Sequence, residues 1–166
     1  MPDGSLIALA GRLQGLCLRR GLTLAIAESC TGGLVGSVIT SVPGSSGYFL
    51  GGIVAYADGA KASLLGVPDA MLRSHGAVSA QVALAMAAGA RARFAASLAV
   101  SITGVAGPDG GSATKPVGLT YVGLADEHGV DVRRFAFAGD RAANRDAATH
   151  AALGWLIERA EAPGAA

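Results

Sequence analysis

The sequence predicts an α/β fold, a single-domain three-layer α/β/α sandwich built on a mixed sheet. Three observations point there. Apolar runs of strand length alternate with segments whose apolar residues recur at helical spacing, the pattern of a sheet covered by helices. Two of the strand-like runs lead into glycine-rich junctions, at Thr31-Gly-Gly33 and at Gly104 to Ser112, where a chain turns sharply. Two later runs are separated only by Asp126-Glu-His-Gly129, a hairpin connection, so at least one strand pair is antiparallel. The 166 residues suffice for one core without cross-links. Neither a repeat nor a linker divides residues 1–166, which read as one domain.

Each element has its own reason. Leu6, Leu9, Leu13, Leu16 and Cys17 recur at helical spacing and Gly21 stops them, giving a first helix over 5–20. The apolar run ending at Glu28 gives a strand over 23–28, and Thr31 is placed to cap a helix over 31–41. Tyr48 to Tyr56 sets β-branched and aromatic residues around Gly51 and Gly52, which suits a strand with a bulge or a close backbone approach. Asp58 is placed to cap a short helix that carries Lys61 on its first turn and stops at Gly66. Pro68 at a first helical position opens another, through Leu72. Ser79 caps a longer helix whose Val82, Met86, Ala90 and Phe94 share a face. Leu98, Val100 and Ile102 alternate with Ala99, Ser101 and Thr103 in a third strand. Val117 to Ala125 and Val130 to Ala138 form the hairpin. Asp140 caps the last helix, with Ala148, Ala151, Ala152, Trp155 and Leu156 as its buried stripe, and the tail from Ala162 is expected to fray.

Composition limits the partners. Hydrophobic residues are 51% of the chain and charged ones 15%, against about 25% charged in a typical domain. So lightly charged a surface suits self-association, and a homo-oligomer is expected. The net charge of +1 and the absence of any basic run argue against a nucleic-acid partner or an anionic membrane surface. No apolar run nears the roughly 18 residues of a membrane span, and a start carrying Asp3 and Arg12 lacks the pattern of a signal peptide. Cys17 and Cys30 are expected to be reduced thiols in a cytoplasmic protein. His75, His128 and His150 are scattered, with no ligand spacing, so no metal is expected. Neither dinucleotide nor Walker fingerprints occur, so no cofactor is expected either.

The groups capable of chemistry gather at strand ends: Glu28 and Ser29, then Tyr56 and Lys61, then Thr103 and the loop containing Gly104 and Gly107. In open α/β sheets the ligand crevice lies at the carboxyl ends of parallel strands. A serine and a lysine can perform acyl transfer without histidine when burial lowers the lysine pKa from about 10.4 toward roughly 7 to 8. A nearby tyrosine can relay the proton or hold the lysine neutral. Cys30 is an alternative nucleophile. Each of these residues also has a plainer reading, as cap, packed ring, solvated amine or buried filler.

Many short motifs in one order carry a resemblance. Ala27-Glu-Ser-Cys-Thr-Gly-Gly33, Val42-Pro-Gly-Ser-Ser46, Gly51-Gly-Ile-Val-Ala-Tyr56 with Lys61, Leu64-Leu-Gly-Val-Pro68, His75-Gly-Ala-Val-Ser79, Thr103-Gly-Val-Ala-Gly-Pro108, Lys115-Pro-Val-Gly118 and Gly139-Asp-Arg141 together resemble the CinA C-terminal domain family, the nicotinamide-nucleotide amidohydrolases. The resemblance implies hydrolysis of nicotinamide mononucleotide to nicotinate mononucleotide and ammonia, within pyridine-nucleotide recycling, on an oligomeric α/β/α fold. The family's Ser, Tyr and Lys fall on Ser29, Tyr56 and Lys61. Many members add an N-terminal molybdopterin-binding-like domain with no counterpart in this sequence, so only the amidase half is expected. Relatives usually carry Glu at the position of Gly59, and glycine weakens the first turn bearing Lys61 by about 0.5 to 1 kcal/mol.

Within that reading, the N–H groups of Cys30 and Thr31 suit an oxyanion hole, with Gly32 and Gly33 completing the turn. The Gly104 to Ser112 loop and Arg141 suit the phosphate, unless Arg141 pairs with a neighbouring carboxylate. Two other functions fit the same residues: a nucleotide-binding or regulatory module without turnover, and an amidase for another small amide.

Overall fold

In a computed structural model describing residues 2–164, twelve segments of regular structure follow in the order α1 (Gly4–Arg20), β1 (Leu24–Glu28), α2 (Leu34–Thr40), a 3-10 turn (Ser45–Gly47), β2 (Phe49–Val54), α3 (Asp58–Leu65), α4 (Asp69–His75), α5 (Ala80–Phe94), β3 (Leu98–Gly104), β4 (Leu119–Asp126), β5 (Gly129–Ala136) and α6 (Arg141–Glu161). The five strands form one mixed sheet in the order β2-β1-β3-β4-β5. β2, β1 and β3 run parallel, while β4 and β5 pair antiparallel as the expected hairpin. The carboxyl ends of β1, β2 and β3 therefore lie along one edge, and the site is built there.

The layers follow from how side chains alternate. Leu24 and Ile26 on β1, and Leu98, Val100 and Ile102 on β3, face a core shared with α1, α2 and α6. The opposite face presents Ala25, Ala27 and Ala99 to α5 and its neighbours α3 and α4. Small residues let α5 lie close, and the Ser101 hydroxyl on that face donates to the Ala83 carbonyl of α5 at 2.6 Å. Every residue of β1 is buried, and each fully buried large aliphatic side chain contributes about 1.5–3 kcal/mol.

Several boundaries depart from expectation. α2 starts at Leu34 rather than Thr31, because Gly32 and Gly33 both take left-handed conformations, at φ 60° and 96°. Asp58 does not cap α3: it is the first helical residue, Ala57 stands at the cap, and no side chain closes that end. Pro68 is the cap of α4 rather than its first residue, and α4 runs on to His75. Ser79 and Asp140 do cap, accepting from Val82 N at 3.2 Å and Ala143 N at 2.9 Å. The anticipated irregularity in β2 is a register shift between Leu24 and Ala25 that leaves Leu50 without a partner. Residues 162–164 leave the last helix, while residues 165 and 166 of the tail lie outside the described residues. Among the described residues no helix is long and apolar enough to cross a membrane.

Candidate active site

β1 hands its chain to the site in one step. The Ser29 N–H donates to the Ile102 carbonyl at 3.0 Å, extending the sheet by one residue and setting the serine side chain at the strand's end. The chain then turns back, with Gly32 N donating to the Ser29 carbonyl at 3.0 Å. Glu28 is what fastens this turn. Its carboxylate, 1% exposed, accepts from Gly33 N at 3.0 Å, Val35 N at 3.1 Å and Gly36 N at 2.9 Å. It thus takes up N–H groups that the first turn of α2 cannot satisfy, and places a negative charge at the positive end of the helix. From the other side, Arg145 on α6 donates to the Thr31 carbonyl at 2.7 Å. The N–H groups of Cys30 and Thr31 find no acceptor among the described residues.

β2 and α3 deliver the amine. Lys61 is 1% exposed and its Nζ donates to the Tyr56 carbonyl at 3.0 Å. Burial lowers its pKa from the ordinary lysine value, against the smaller opposing effects of Asp58 and Cys30. The tyrosine relay does not take the expected form. The Tyr56 ring is 59% exposed, and its phenol accepts from Arg141 Nη2 at 3.1 Å, so the main chain of Tyr56, not its hydroxyl, meets the lysine. Arg141 also donates to the Gly107 carbonyl at 2.8 Å through Nη1 and enters no carboxylate pair among the described residues. Gly59 leaves open space where a side chain would stand, and α3 forms without one.

β3 supplies further lining. The Thr103 hydroxyl donates to the Ala77 carbonyl at 2.8 Å, tying the strand end to the segment before α5. Gly104 follows. A Cβ there would sit 2.6 Å from Thr120 Oγ1, 2.9 Å from the Leu119 carbonyl and 3.2 Å from Cys30 Sγ, so only glycine lets this strand end approach the β1 turn.

These elements enclose a cleft of about 260 Å³. Of the residues singled out by sequence, Ser29, Cys30, Tyr56, Lys61, Thr103, Gly104, Gly107 and Arg141 line it. Glu28, Thr31, Gly32 and Gly33 do not. Glu28 is spent as the cap just described, Thr31 is fully buried, and the two glycines shape the turn behind the cleft. The lining also includes Ala77, Val78, Val105, Ala106, Asp109 and Gly110, which sequence reasoning missed. The apolar ones carry no chemical label, whereas Asp109 is the one charged residue of the Gly104 to Ser112 loop and could have been found as such. Cys30 is 7% exposed and burial pushes its thiol up to about 11, so near neutral pH it is protonated. Cys17 and Cys30 are both free thiols.

The CinA C-terminal domain family matches residues 7–160. This chain belongs to that family. Among its relatives is a CinA-like protein of Geobacter sulfurreducens, 56% identical over 140 residues, which cover 84% of this chain and 34% of the relative. This CinA-family chain thus spans about a third of the length of the curated relatives it matches. Solved structures match it over nearly their whole length. The competence/damage inducible protein CihA from Agrobacterium tumefaciens superposes with a TM-score of 0.93 at 41% identity, covering 95% of this chain and 97% of that one. A CinA superfamily protein from Escherichia coli gives 0.89 at 30% identity, covering 95% and 93%.

Proposed function

We propose that this CinA-family domain hydrolyses the carboxamide of nicotinamide mononucleotide to nicotinate mononucleotide and ammonia, in pyridine-nucleotide recycling. One observation carries the reading: a fully buried lysine of lowered pKa lines the same cleft as a serine placed at the end of β1. Ser29 Oγ attacks the carboxamide carbon while Lys61, neutral, takes the hydroxyl proton. The N–H groups of Cys30 and Thr31 stabilise the oxyanion. Collapse of the intermediate breaks the C–N bond, Lys61 returns the proton to the leaving ammonia, and water then releases the acid from Ser29. The phosphate belongs at Arg141, the first residue of α6, where the helix start adds its own partial positive charge. A second hollow of about 590 Å³, beside Pro108 and Gly139, shares Gly107 and Arg141 with the cleft. The two together exceed the roughly 300 Å³ at which ligand pockets begin.

A second reading, nucleotide binding without turnover, draws on a different observation. The Ser29 hydroxyl makes no hydrogen bond to Lys61 among the described residues, the amine being held by the Tyr56 carbonyl. Catalytic hydrogen bonds are often long before substrate binds, so ammonia release decides. Turnover should fall as pH drops through the lysine's lowered pKa, because protonation removes the base, and the midpoint should lie below the ordinary lysine value of 10.5. Lys61→Arg keeps a positive charge but cannot deprotonate at working pH, and should be nearly as inactive as Lys61→Ala. An active Lys61→Arg enzyme, or no ammonia from any of a panel of nucleotide and simple amides, would remove the serine–lysine scheme.

A further inference from the structure

Three charged side chains line the cleft: Lys61, Asp109 and Arg141. They differ in what already holds them. Lys61 is buried against the Tyr56 carbonyl, and burial favours its neutral form. Arg141 is engaged with the Gly107 carbonyl and the Tyr56 phenol. Asp109, exposed on the loop after β3, enters no ion pair and makes no side-chain hydrogen bond among the described residues. On the amidase reading, in which Lys61 serves as the neutral base, the cleft holds one uncommitted negative charge at Asp109 and, at the start of α6, one positive one. A ligand that matches carries a cation and an anion of its own.

We propose that Asp109 is a specificity-determining residue that reads the positive charge of a pyridinium ring, so that the site takes quaternary pyridinium amides in preference to neutral aromatic ones. The proposal rests on the amidase reading above. An anionic phosphate and a carboxylate repel each other, so the phosphate goes to Arg141 and Asp109 is left for the ring. Val78, Val105 and Ala106 offer small apolar surface on which a flat ring can lie. A protonated lysine beside the carboxamide would oppose the ring's charge, whereas a neutral one does not. For a ring charge roughly 7 Å from the Asp109 carboxylate, the attraction is screened by the water around this exposed loop. At that distance, in a water-filled mouth, a unit charge changes affinity by about 3- to 10-fold.

The test is Asp109→Asn, which keeps shape and removes charge on an exposed loop. Nicotinamide mononucleotide, nicotinamide riboside and the reduced mononucleotide, whose dihydropyridine ring is neutral, are compared as substrates. Where turnover is slow, they are compared as competitive inhibitors. The variant should weaken KM or Ki about 3- to 10-fold for both cationic ligands, leave the reduced ligand unchanged, and change kcat little. Raising ionic strength should shrink the difference in the wild-type protein. Equal losses on cationic and neutral rings would mean that Asp109 merely shapes the loop. Tighter binding of the phosphorylated ligands alone would place it beside the phosphate. Either result overturns the proposal. If the wild-type protein releases no ammonia from any of the three, the amidase reading fails by itself. Calorimetric binding of the oxidised and reduced mononucleotides to both proteins then decides the role of Asp109, and an unchanged oxidised-to-reduced ratio overturns it.

Discussion

The two glycine-rich junctions beside the cleft are built on opposite plans. The turn after β1 is short, buried from Ser29 to Thr31, and held by three N–H bonds to Glu28 beneath it and by Arg145 from α6. The loop after β3 is long, and every residue from Pro108 to Thr114 is exposed. It is fastened mainly at its ends. Val105 and Gly118 pair near its base, Asn144 holds the Ala106 carbonyl at 3.1 Å, Arg141 holds that of Gly107, and Lys115 reaches the His75 carbonyl. Under the proposed amidase function, the difference tracks what each would do. Bond-making tolerates little error in position, so the segment next to Ser29 is over-determined. Holding the ring, sugar and phosphate of the proposed substrate would tolerate more, and a loop suffices for that. Substitutions in the turn should therefore strike turnover or folding, and those on the loop side should strike affinity.

The sharpest expected effect is at the turn. Ser29→Ala should lower ammonia release by at least about a thousandfold, as loss of a covalent nucleophile does. Cys30→Ala should retain most activity, since a thiol held near pKa 11 supplies little thiolate. Steady-state rates on nicotinamide mononucleotide check both, and the reverse pattern would move the nucleophile to Cys30.

Next in size is the cap. Glu28→Ala leaves three donors at a partly buried helix start without a charged acceptor, where each lost bond to a charge costs about 1.5–3 kcal/mol before relaxation. With partial compensation by water, unfolding free energy should fall by about 3–5 kcal/mol. Chemical denaturation measures it. A loss below about 1 kcal/mol would show that the turn is not pinned from below, and the contrast between the two junctions would dissolve.

What was legible in the sequence divides along the same line. Local rules sufficed for the alternation of Leu98, Val100 and Ile102, for the caps at Ser79 and Asp140, and for the hairpin at Glu127 and His128. Ser29 and Lys61 were legible as strand-end residues with a chemical character, and they do line one cleft. The role of Glu28 was not. A carboxylate that reaches donors five to eight residues ahead depends on the left-handed pair Gly32 and Gly33, and helix-start rules look for a cap next to the helix. Spacing along the chain makes Tyr56 a partner for Lys61, but its exposed ring turns to an arginine 85 residues away, a contact that only the sheet order creates. Ala77 and Val78 join the lining because Thr103 ties their segment to β3. Arg145 braces the turn from α6 at a sequence distance of 114 residues.

The smallest effect expected is on the loop side, and it tests whether that side only binds. Arg141 is exposed at the start of α6, and its two bonds go to one loop carbonyl and one surface phenol, so the fold should survive its loss. If it holds the phosphate, the contact is as strong in the ground state as in the transition state, because the phosphate does not react. Arg141→Ala should then raise KM for nicotinamide mononucleotide about 10-fold or more, in keeping with about 1.5–3 kcal/mol for a charge-assisted hydrogen bond, while kcat changes little. Hydrolysis of nicotinamide riboside, which has no phosphate, should barely change. Equal losses on the two substrates would show that Arg141 works by positioning Tyr56 and Gly107 around the reacting carboxamide. A fall in kcat on both would carry that further, since a binding-only wall cannot lower turnover at saturation. The two junctions would then form one catalytic frame, with the loop after β3 as much a part of it as the turn that carries Ser29.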